Sequence, residues 1–205
     1  KKIHIFGCQR VLFIAKQIAY GQAVHVKSRR PEMRFGVVSG CDTNLLKPML
    51  AQIFPGNLVV FSNYLNVTLT PSNPILHPSR MYALFGPHRD HNYKKRLLFY
   101  KNWDRKSSQF LLKCDNEVQN ICQAMPFRLE YVLSIKKHYE VDTEEALTRK
   151  IASIKPFQIT LAPMINTGSG WKPDFESRYI TEDVPYGLCV LKSFAEILEV
   201  ATPMM

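Results

Sequence analysis

The hydrophobic pattern of this chain changes character between residues 65 and 78: strand-like and helix-like segments alternate before it, and helical periodicity prevails after it. One uniform architecture cannot satisfy both patterns. The change predicts an α/β part followed by an all-α helical bundle. In the first part, Ile3-His4-Ile5-Phe6 reads as a strand, and Val11 to Tyr20 is apolar enough for a helix. Ala23 to Lys27 and Phe35 to Val38 read as further strands. Asp42 can cap a helix whose apolar residues, Leu45, Leu46, Met49, Leu50 and Ile53, fall at i, i+1, i+4, i+5 and i+8. Gly56-Asn57 ends it, and Leu58 to Phe61 returns as a short buried strand, giving a pattern of the doubly wound kind.

Beyond residue 78 the spacing predicts helices. One runs from Lys95 to Lys113 through Leu97, Leu98, Tyr100, Trp103, Phe110 and Leu111, and continues past Val118, Ile121 and Cys122. Phe127, Tyr131, Val132 and Ile135 form a second face, closed by His138 and Tyr139. Asp142-Thr143-Glu144-Glu145 has the form of a capped start, with Ala146, Leu147, Ile151 and Ile154 behind it and Pro156 as its stop. Gly168-Ser169-Gly170 marks a loop. The last stripe, Leu188, Leu191, Ala195 and Leu198, is spaced i, i+3, i+7 and i+10 and is helical.

A length of 205 residues suffices for one or two modest cores, and 46% hydrophobic with 21% charged residues describes an ordinary folded protein. No apolar run approaches the length that crosses a bilayer, and no signal peptide opens the chain, so a cytoplasmic protein without a membrane partner is expected. The five cysteines (Cys8, Cys41, Cys114, Cys122, Cys189) are scattered without a Cys-x-x-Cys pair, which points to reduced thiols and not to disulfides or a metal site. A net charge of +10 suits a protein that gathers carboxylates and phosphates, a solvated basic surface, or a nucleic-acid binder. The start at Lys1-Lys2-Ile3 and the end at Met204-Met205 suggest a fragment of something longer.

Two segments carry candidate chemistry. Arg178-Tyr179-Ile180-Thr181-Glu182-Asp183-Val184-Pro185-Tyr186-Gly187 sets a guanidinium and two carboxylates just ahead of the last helix. Asn73-Pro74-Ile75-Leu76-His77-Pro78 supplies an imidazole. A residue before proline avoids the α region, so His77 is expected to be extended, with Pro78 opening a helix. An imidazole between a helix N-terminus and a carboxylate feels opposed pulls, which suits a general acid–base. An ordinary capping or core histidine reads from the same residues. Asp183 is expected near the cap of the last helix, where one oxygen can cap while the other orients an imidazole. Arg178 can grip a carboxylate bidentately, or pair with Glu182 or Glu176.

Together, Asn-Pro-x-x-His-Pro and Arg-Tyr-x-Thr-Glu-Asp-Val-Pro-Tyr-Gly-Leu resemble the substrate-domain signatures of the opine dehydrogenases, the octopine dehydrogenase family. Pro173-Asp174-Phe175 and Thr202-Pro203 extend the likeness, whereas residues 86–160 add little to it. The resemblance implies NADH-dependent condensation of an amino acid with a 2-oxo acid such as pyruvate, NADPH being the alternative cofactor. It implies His77 and Asp183 as the catalytic pair and Arg178 as the substrate-binding residue. Residues 1–65 would then be the C-terminal part of a truncated Rossmann-like domain, and 66–205 the helical substrate and catalytic domain. No Gly-x-Gly-x-x-Gly follows any strand and Gly7 stands alone, so the cofactor-binding residues are not assigned.

Two other functions compete: reduction of simple 2-oxo acids by a related two-domain enzyme, and a non-catalytic basic module that binds RNA. The second lacks a stacking aromatic motif, so a nucleic-acid partner is not expected. His88-Arg89-Asp90-His91 is read as a solvated loop and not a metal site. Lys94-Lys95-Arg96, with Lys101, Arg105 and Lys106, reads as the wet side of a helix, and Cys189 as a buried small hydrophobe. The amino acid that is condensed and a choice between monomer and dimer do not follow from the sequence.

Overall fold

The computed structural model describes residues 3–38, 42–70, 72–129 and 131–205, so Cys41 and the pair Lys1-Lys2 lie outside the described residues. Its residues group into two units, 1–71 with 129–132, and 72–128 with 133–205. The order expected from the sequence is the one found: small sheets first, helices after.

In the first unit, strands β1 (Phe6–Cys8), β2 (Phe13–Ala19), β3 (Ala23–Arg29) and β4 (Glu32–Val37) precede helix α1 (Thr43–Ile53), strand β5 (Asn57–Phe61) and the short helix α2 (Leu65–Thr68). Strand β4 is central, antiparallel to β1 and parallel to β5. Helix α1 crosses between the parallel pair, and Asp42 caps it by accepting from the Asn44 N–H at 2.8 Å, as its position predicts. Met33, Phe35, Val37, Leu46, Leu50 and Leu58 make the apolar core. A Cβ on Gly36 would come within 2.9 Å of the Tyr64 Cα, so the absence of a side chain lets the α2 segment lie directly on β4. Tyr131 joins this unit, its ring 4.5 Å from that of Phe61.

Three expectations for this unit need correction. The first strand starts at Phe6, later than the Ile3–Phe6 segment. The segment from Val11 to Tyr20 is not a helix; β2 pairs antiparallel with β3 in a hairpin. Val11, Ile14, Ala15, Ile18 and Ala19 do fall at helical spacing, but the β-branched and aromatic residues Val11, Phe13, Ile14 and Ile18 favour the extended chain, and Gly21 at φ +67° turns it back. The doubly wound pattern reduces to one β–α–β unit, β4–α1–β5, with an antiparallel neighbour.

The second unit comprises α3 (Asn73–Phe85), α4 (Arg105–Ala124), α5 (Ile135–Tyr139), α6 (Glu144–Ala152), strands β6 (Met164–Asn166) and β7 (Trp171–Pro173), α7 (Arg178–Thr181) and α8 (Cys189–Ile197). Helix α4 packs against α3, α6 and α8. Leu111, Val118 and Ile121 line its buried face, and Leu147 and Ile151 do so for α6. Thr143 caps α6 as expected, accepting from Ala146 N–H at 3.1 Å; the helix ends at Ala152, before Pro156. Gly168-Ser169-Gly170 is the loop of the β6–β7 hairpin.

Helix α4 begins at Arg105, ten residues after the expected Lys95. Asp104 caps it by accepting from Ser107 N–H at 2.9 Å, and the preceding stretch makes other bonds. Phe99 N–H donates to Thr160 at 2.8 Å, Ala162 N–H donates to Leu97 at 2.8 Å, and the carbonyls of Phe99 and Asn102 accept from Arg80. Likewise, the helical face expected over Phe127–Tyr139 reduces to α5, which starts only at Ile135, where Asp115 accepts the first N–H at 2.9 Å. Cys8, Cys114, Cys122 and Cys189 are free thiols, with Cys189 exposed and not buried as expected. No helix of the described residues is long and apolar enough to cross a membrane.

Candidate active site

The site starts with the first turns of α3. His77 lies inside that helix, not in an extended approach to it, and Pro78 is an interior residue. The local penalty is small in number of bonds: Pro78 has no N–H to return to the Pro74 carbonyl. The gain is tertiary, since Ile75, Leu76, His77, Ser79, Arg80, Met81 and Phe85 are all buried by this helix. Packing overrides the pre-proline preference here.

Asp183 follows α7 and opens a π-helical turn, Val184–Leu188, that runs on into α8. It does not cap: its backbone is helical (φ −68°, ψ −29°) and its side chain accepts no cap bond. The reason is continuity. Leu188 N–H donates to the Asp183 carbonyl at 2.8 Å, so the helical run passes through this point and offers no free N-terminus. The carboxylate is left to meet His77, with Oδ2 2.6 Å from Nδ1 across 106 positions of sequence. A Cβ on Gly187 would lie 2.6 Å from Cγ of Pro74, so a bare backbone is what allows the π turn to approach the start of α3.

The other imidazole nitrogen is also engaged. His77 Nε2 lies 2.8 Å from the Tyr100 hydroxyl. Tyr179 stacks on the imidazole with ring centroids 4.0 Å apart, and Phe99 meets it edge-on at 5.7 Å. His77 is only 6% exposed, so these contacts act in a low-dielectric setting. Burial first, then Tyr179, Tyr139 and Asp183, pushes the Tyr100 phenol far above its ordinary range. Tyr179 is raised as well, chiefly by burial, with Asp183 adding and the nearby Tyr100 phenol opposing.

Arg80 holds the loop that carries Tyr100. One turn after His77 on α3, it is fully buried. Nε donates to the Phe99 carbonyl at 2.9 Å, Nη2 to the Asn102 carbonyl at 2.6 Å and Nη1 to Ser107 Oγ at 2.8 Å. Nη1 also lies 3.2 Å from Asp104 Oδ1, and the guanidinium sits 5.5 Å over the Trp103 ring. Burial lowers its pKa to about 10 while Asp104 resists, so it stays charged at neutral pH.

Arg178 is placed differently. Its Nε donates to Glu182 Oε1 at 2.7 Å, and its side chain is 83% exposed. The structure therefore joins His77 to Asp183 and leaves Arg178 on the surface, paired one helical turn along. Beside Asp183 an open pocket of about 400 Å³ is lined by Pro74, Glu182, Asp183, Tyr186 and Gly187. Sequence reasoning missed Tyr100, Tyr179 and Arg80 as site residues. The only available hints were the Arg-Tyr pair at 178–179 and the position of Arg80 at i+3 from His77, on the face that α3 buries. His88 to His91 is exposed, and among the described residues no group of three His, Cys, Asp or Glu side chains can hold a metal ion.

Residues 60–205 match the family described as NAD/NADP octopine/nopaline dehydrogenase, alpha-helical domain. An uncharacterized protein of Sinorhizobium fredii is 28% identical over 217 residues, covering 97% of this chain and 57% of its own length. The octopine dehydrogenase of Pecten maximus is 23% identical over 202 residues, covering 90% and 49%. Solved structures of octopine dehydrogenase with NADH and L-arginine, and with NADH and pyruvate, superpose with TM-scores of 0.82 and 0.81 at 20% and 23% identity. Each covers 98% of this chain, and this chain covers 53% and 52% of theirs, a likeness of fold. The chain spans about half the length of these relatives.

Proposed function

This chain belongs to the octopine/nopaline dehydrogenase family, and from that premise we propose that it serves the reductive condensation of an amino acid with a 2-oxo acid, pyruvate first among candidates, with NADH as reductant, in the cytoplasm. The observation that carries the reading is the part-buried His77–Asp183 hydrogen bond of 2.6 Å. The relatives' complexes with NADH and either L-arginine or pyruvate support the choice of substrate classes.

Asp183 accepts from Nδ1–H of His77, which fixes the tautomer with Nε2 as the working nitrogen and stabilises positive charge on the ring when it forms. His77 supplies and removes the protons that must move as the amine adds to the carbonyl and water leaves. Arg178 anchors the oxo-acid carboxylate. Its guanidinium is exposed and held by one exposed carboxylate, a partner that a substrate carboxylate can replace. The described residues contain no glycine-rich strand-to-helix turn of the kind that cradles a pyrophosphate, so the chemistry assigned to this chain is acid, base and charge.

The test is NADH oxidation with pyruvate, with and without each of a panel of amino acids, by the enzyme that carries this chain. Oxidation should require the amino acid. Consumption of NADH by the oxo acid alone would indicate a simple 2-oxo acid reductase instead. In the same assay His77→Ala should lower kcat by roughly two to four powers of ten; turnover close to wild type would remove His77 from the mechanism.

A further inference from the structure

Both ring nitrogens of His77 meet protein atoms, Asp183 at Nδ1 and the Tyr100 hydroxyl 2.8 Å from Nε2. The two partners differ in kind. An ionised carboxylate only accepts, so Asp183 suits Nδ1–H in either charge state of the ring. The atom that changes is Nε2, which carries a lone pair when the ring is neutral and an N–H when it is charged. A partner at that buried place must match both forms, because bulk water does not readily replace one lost there. A hydroxyl does match both. It donates to the lone pair and, turned about its C–O bond, accepts from the N–H.

The helical unit fixes where this phenol stands. Its ring stacks on Phe157 with centroids 4.8 Å apart and lies nearly parallel to Trp103 at 6.4 Å. The Phe99 and Asn102 carbonyls, on either side of it in sequence, accept from Arg80, which lies one turn from His77 on α3. The helix that carries the imidazole therefore also holds the segment that carries the hydroxyl. Burial, first among the causes, raises the Tyr100 phenol far above its ordinary range, so it keeps the proton that it donates.

From this geometry we propose that Tyr100 is a positioning residue for the acid–base: its hydroxyl holds Nε2 of His77 in one orientation, in both charge states of the ring, until a substrate group takes its place at that nitrogen. This role rests on the acid–base function given to His77 above and adds the group that keeps the ring poised. Tyr179, stacked on the imidazole at 4.0 Å, and Phe99, edge-on at 5.7 Å, restrict its tilt. Those contacts do not tell the ring from its flipped form, in which nitrogen and carbon edges exchange. The hydrogen bonds do, since a flipped ring would set carbon against both Asp183 and Tyr100.

The experiment has two arms, both on the enzyme that carries this chain. The first needs no turnover and uses histidine labelled with ¹⁵N. In the unaltered protein, a hydroxyl proton protected from exchange should show cross-relaxation to the His77 ring. Tyr100→Phe should remove that proton and displace the Nε2 resonance, while the Nδ1–H signal, held by Asp183, persists. Absence of the protected proton from the unaltered protein, or an Nε2 resonance that stays in place in Tyr100→Phe, would overturn the role. The second arm is kinetic. Tyr100→Phe should lower kcat about ten- to a hundredfold, the worth of one hydrogen bond to a charged group, with little change in KM. As a control, Leu147→Ala opens a cavity in the buried face of α6 and should destabilise the fold while keeping kcat and the Nε2 resonance. Equal kcat losses in the two variants would mean that turnover follows stability alone. A kcat for Tyr100→Phe at or above wild type would mean that the hydroxyl merely blocks the nitrogen. Either result overturns the role. Should the wild-type enzyme not condense amino and oxo acids, the proposed function fails, and the spectra alone still decide whether the hydroxyl holds the ring.

Discussion

The first unit buries almost only hydrocarbon, whereas the second buries hydrocarbon together with a set of polar groups, and the contrast separates what builds this chain from what makes it act. Around β4 the core is Met33, Phe35, Val37, Leu46, Leu50 and Leu58, held by non-directional forces that respond mainly to volume. In the helical unit, His77, Ser79, Arg80, Ser107, Ser108, Asp115 and Glu117 are all buried. Each such group must find a partner of defined geometry, because an unmatched one is expensive. An apolar core accepts many near-equivalent packings. A network of the second kind accepts few, and so it can hold an imidazole at a set distance from a carboxylate and a phenol.

The contrast can be broken most sharply at Arg80. Arg80→Met keeps most of the volume but removes the donors to the Phe99 and Asn102 carbonyls and the cationic partner of Asp104. Unfolding by urea should show a loss of about 3–5 kcal/mol. A loss below about 1 kcal/mol would mean that the second unit is governed by hydrophobic volume like the first. Leu50→Ala, in the apolar core where Leu50 is 1% exposed, should cost roughly 2–4 kcal/mol by the same measurement. The His77 ring signals should stay in place; their displacement would show that the two units do not separate as argued.

Asp115 gives a smaller effect with a definite sign. Burial raises its carboxyl from 3.8 to about 6, against the lowering influence of the Ile135 N–H bond and Gln119. The folded state therefore binds this proton more tightly than the unfolded one. Its contribution is complete below about pH 4 and is lost as pH rises through about 6, amounting to at most about 3 kcal/mol. Urea midpoints between pH 4 and 7 should fall more for wild type than for Asp115→Asn, whose side-chain oxygen can still accept from Ile135. Parallel curves would count against a buried, proton-holding Asp115. Smallest of all, Ile18→Thr on the exposed β2–β3 hairpin should change stability by no more than about 0.5 kcal/mol. A larger loss would indicate that this apolar face is covered in solution.

The legible parts of the fold were those with local signals. Helices α1 and α6 each carry a capping side chain and a stripe behind it, and the Leu191–Ala195 face of α8 reads from spacing alone. The segment from Val11 to Tyr20 misleads because its helical spacing, Val11, Ile14, Ala15 and Ile18, spans only two turns and is made largely of β-branched residues that suit a strand equally well. The start of α4 was misplaced because the bonds that keep residues 97–102 out of the helix come from Arg80, Thr160 and Ala162, far away in sequence. For the site, the juxtaposition of His77 with Asp183 was reachable only through the motif resemblance, since no local rule links positions 106 apart. Tyr100 reads in the sequence as one of the apolar residues of a helix that does not form there, which hides the role of its hydroxyl. The capping role expected for Asp183 failed because a π turn prolongs the helical run through it.

The meeting of Gly187 with the Pro74 ring ties the separation of acid and imidazole to a bare backbone turn and a closed pyrrolidine, not to flexible side-chain reach. A single methyl group at 187 would act as a wedge between a rigid ring and a rigid turn. The position has no reactive atom of its own, yet it works as the calliper of the whole couple. Any descendant of this chain that admits a bulkier residue there must either reshape the opening turn of α3 or let the carboxylate drift out of range.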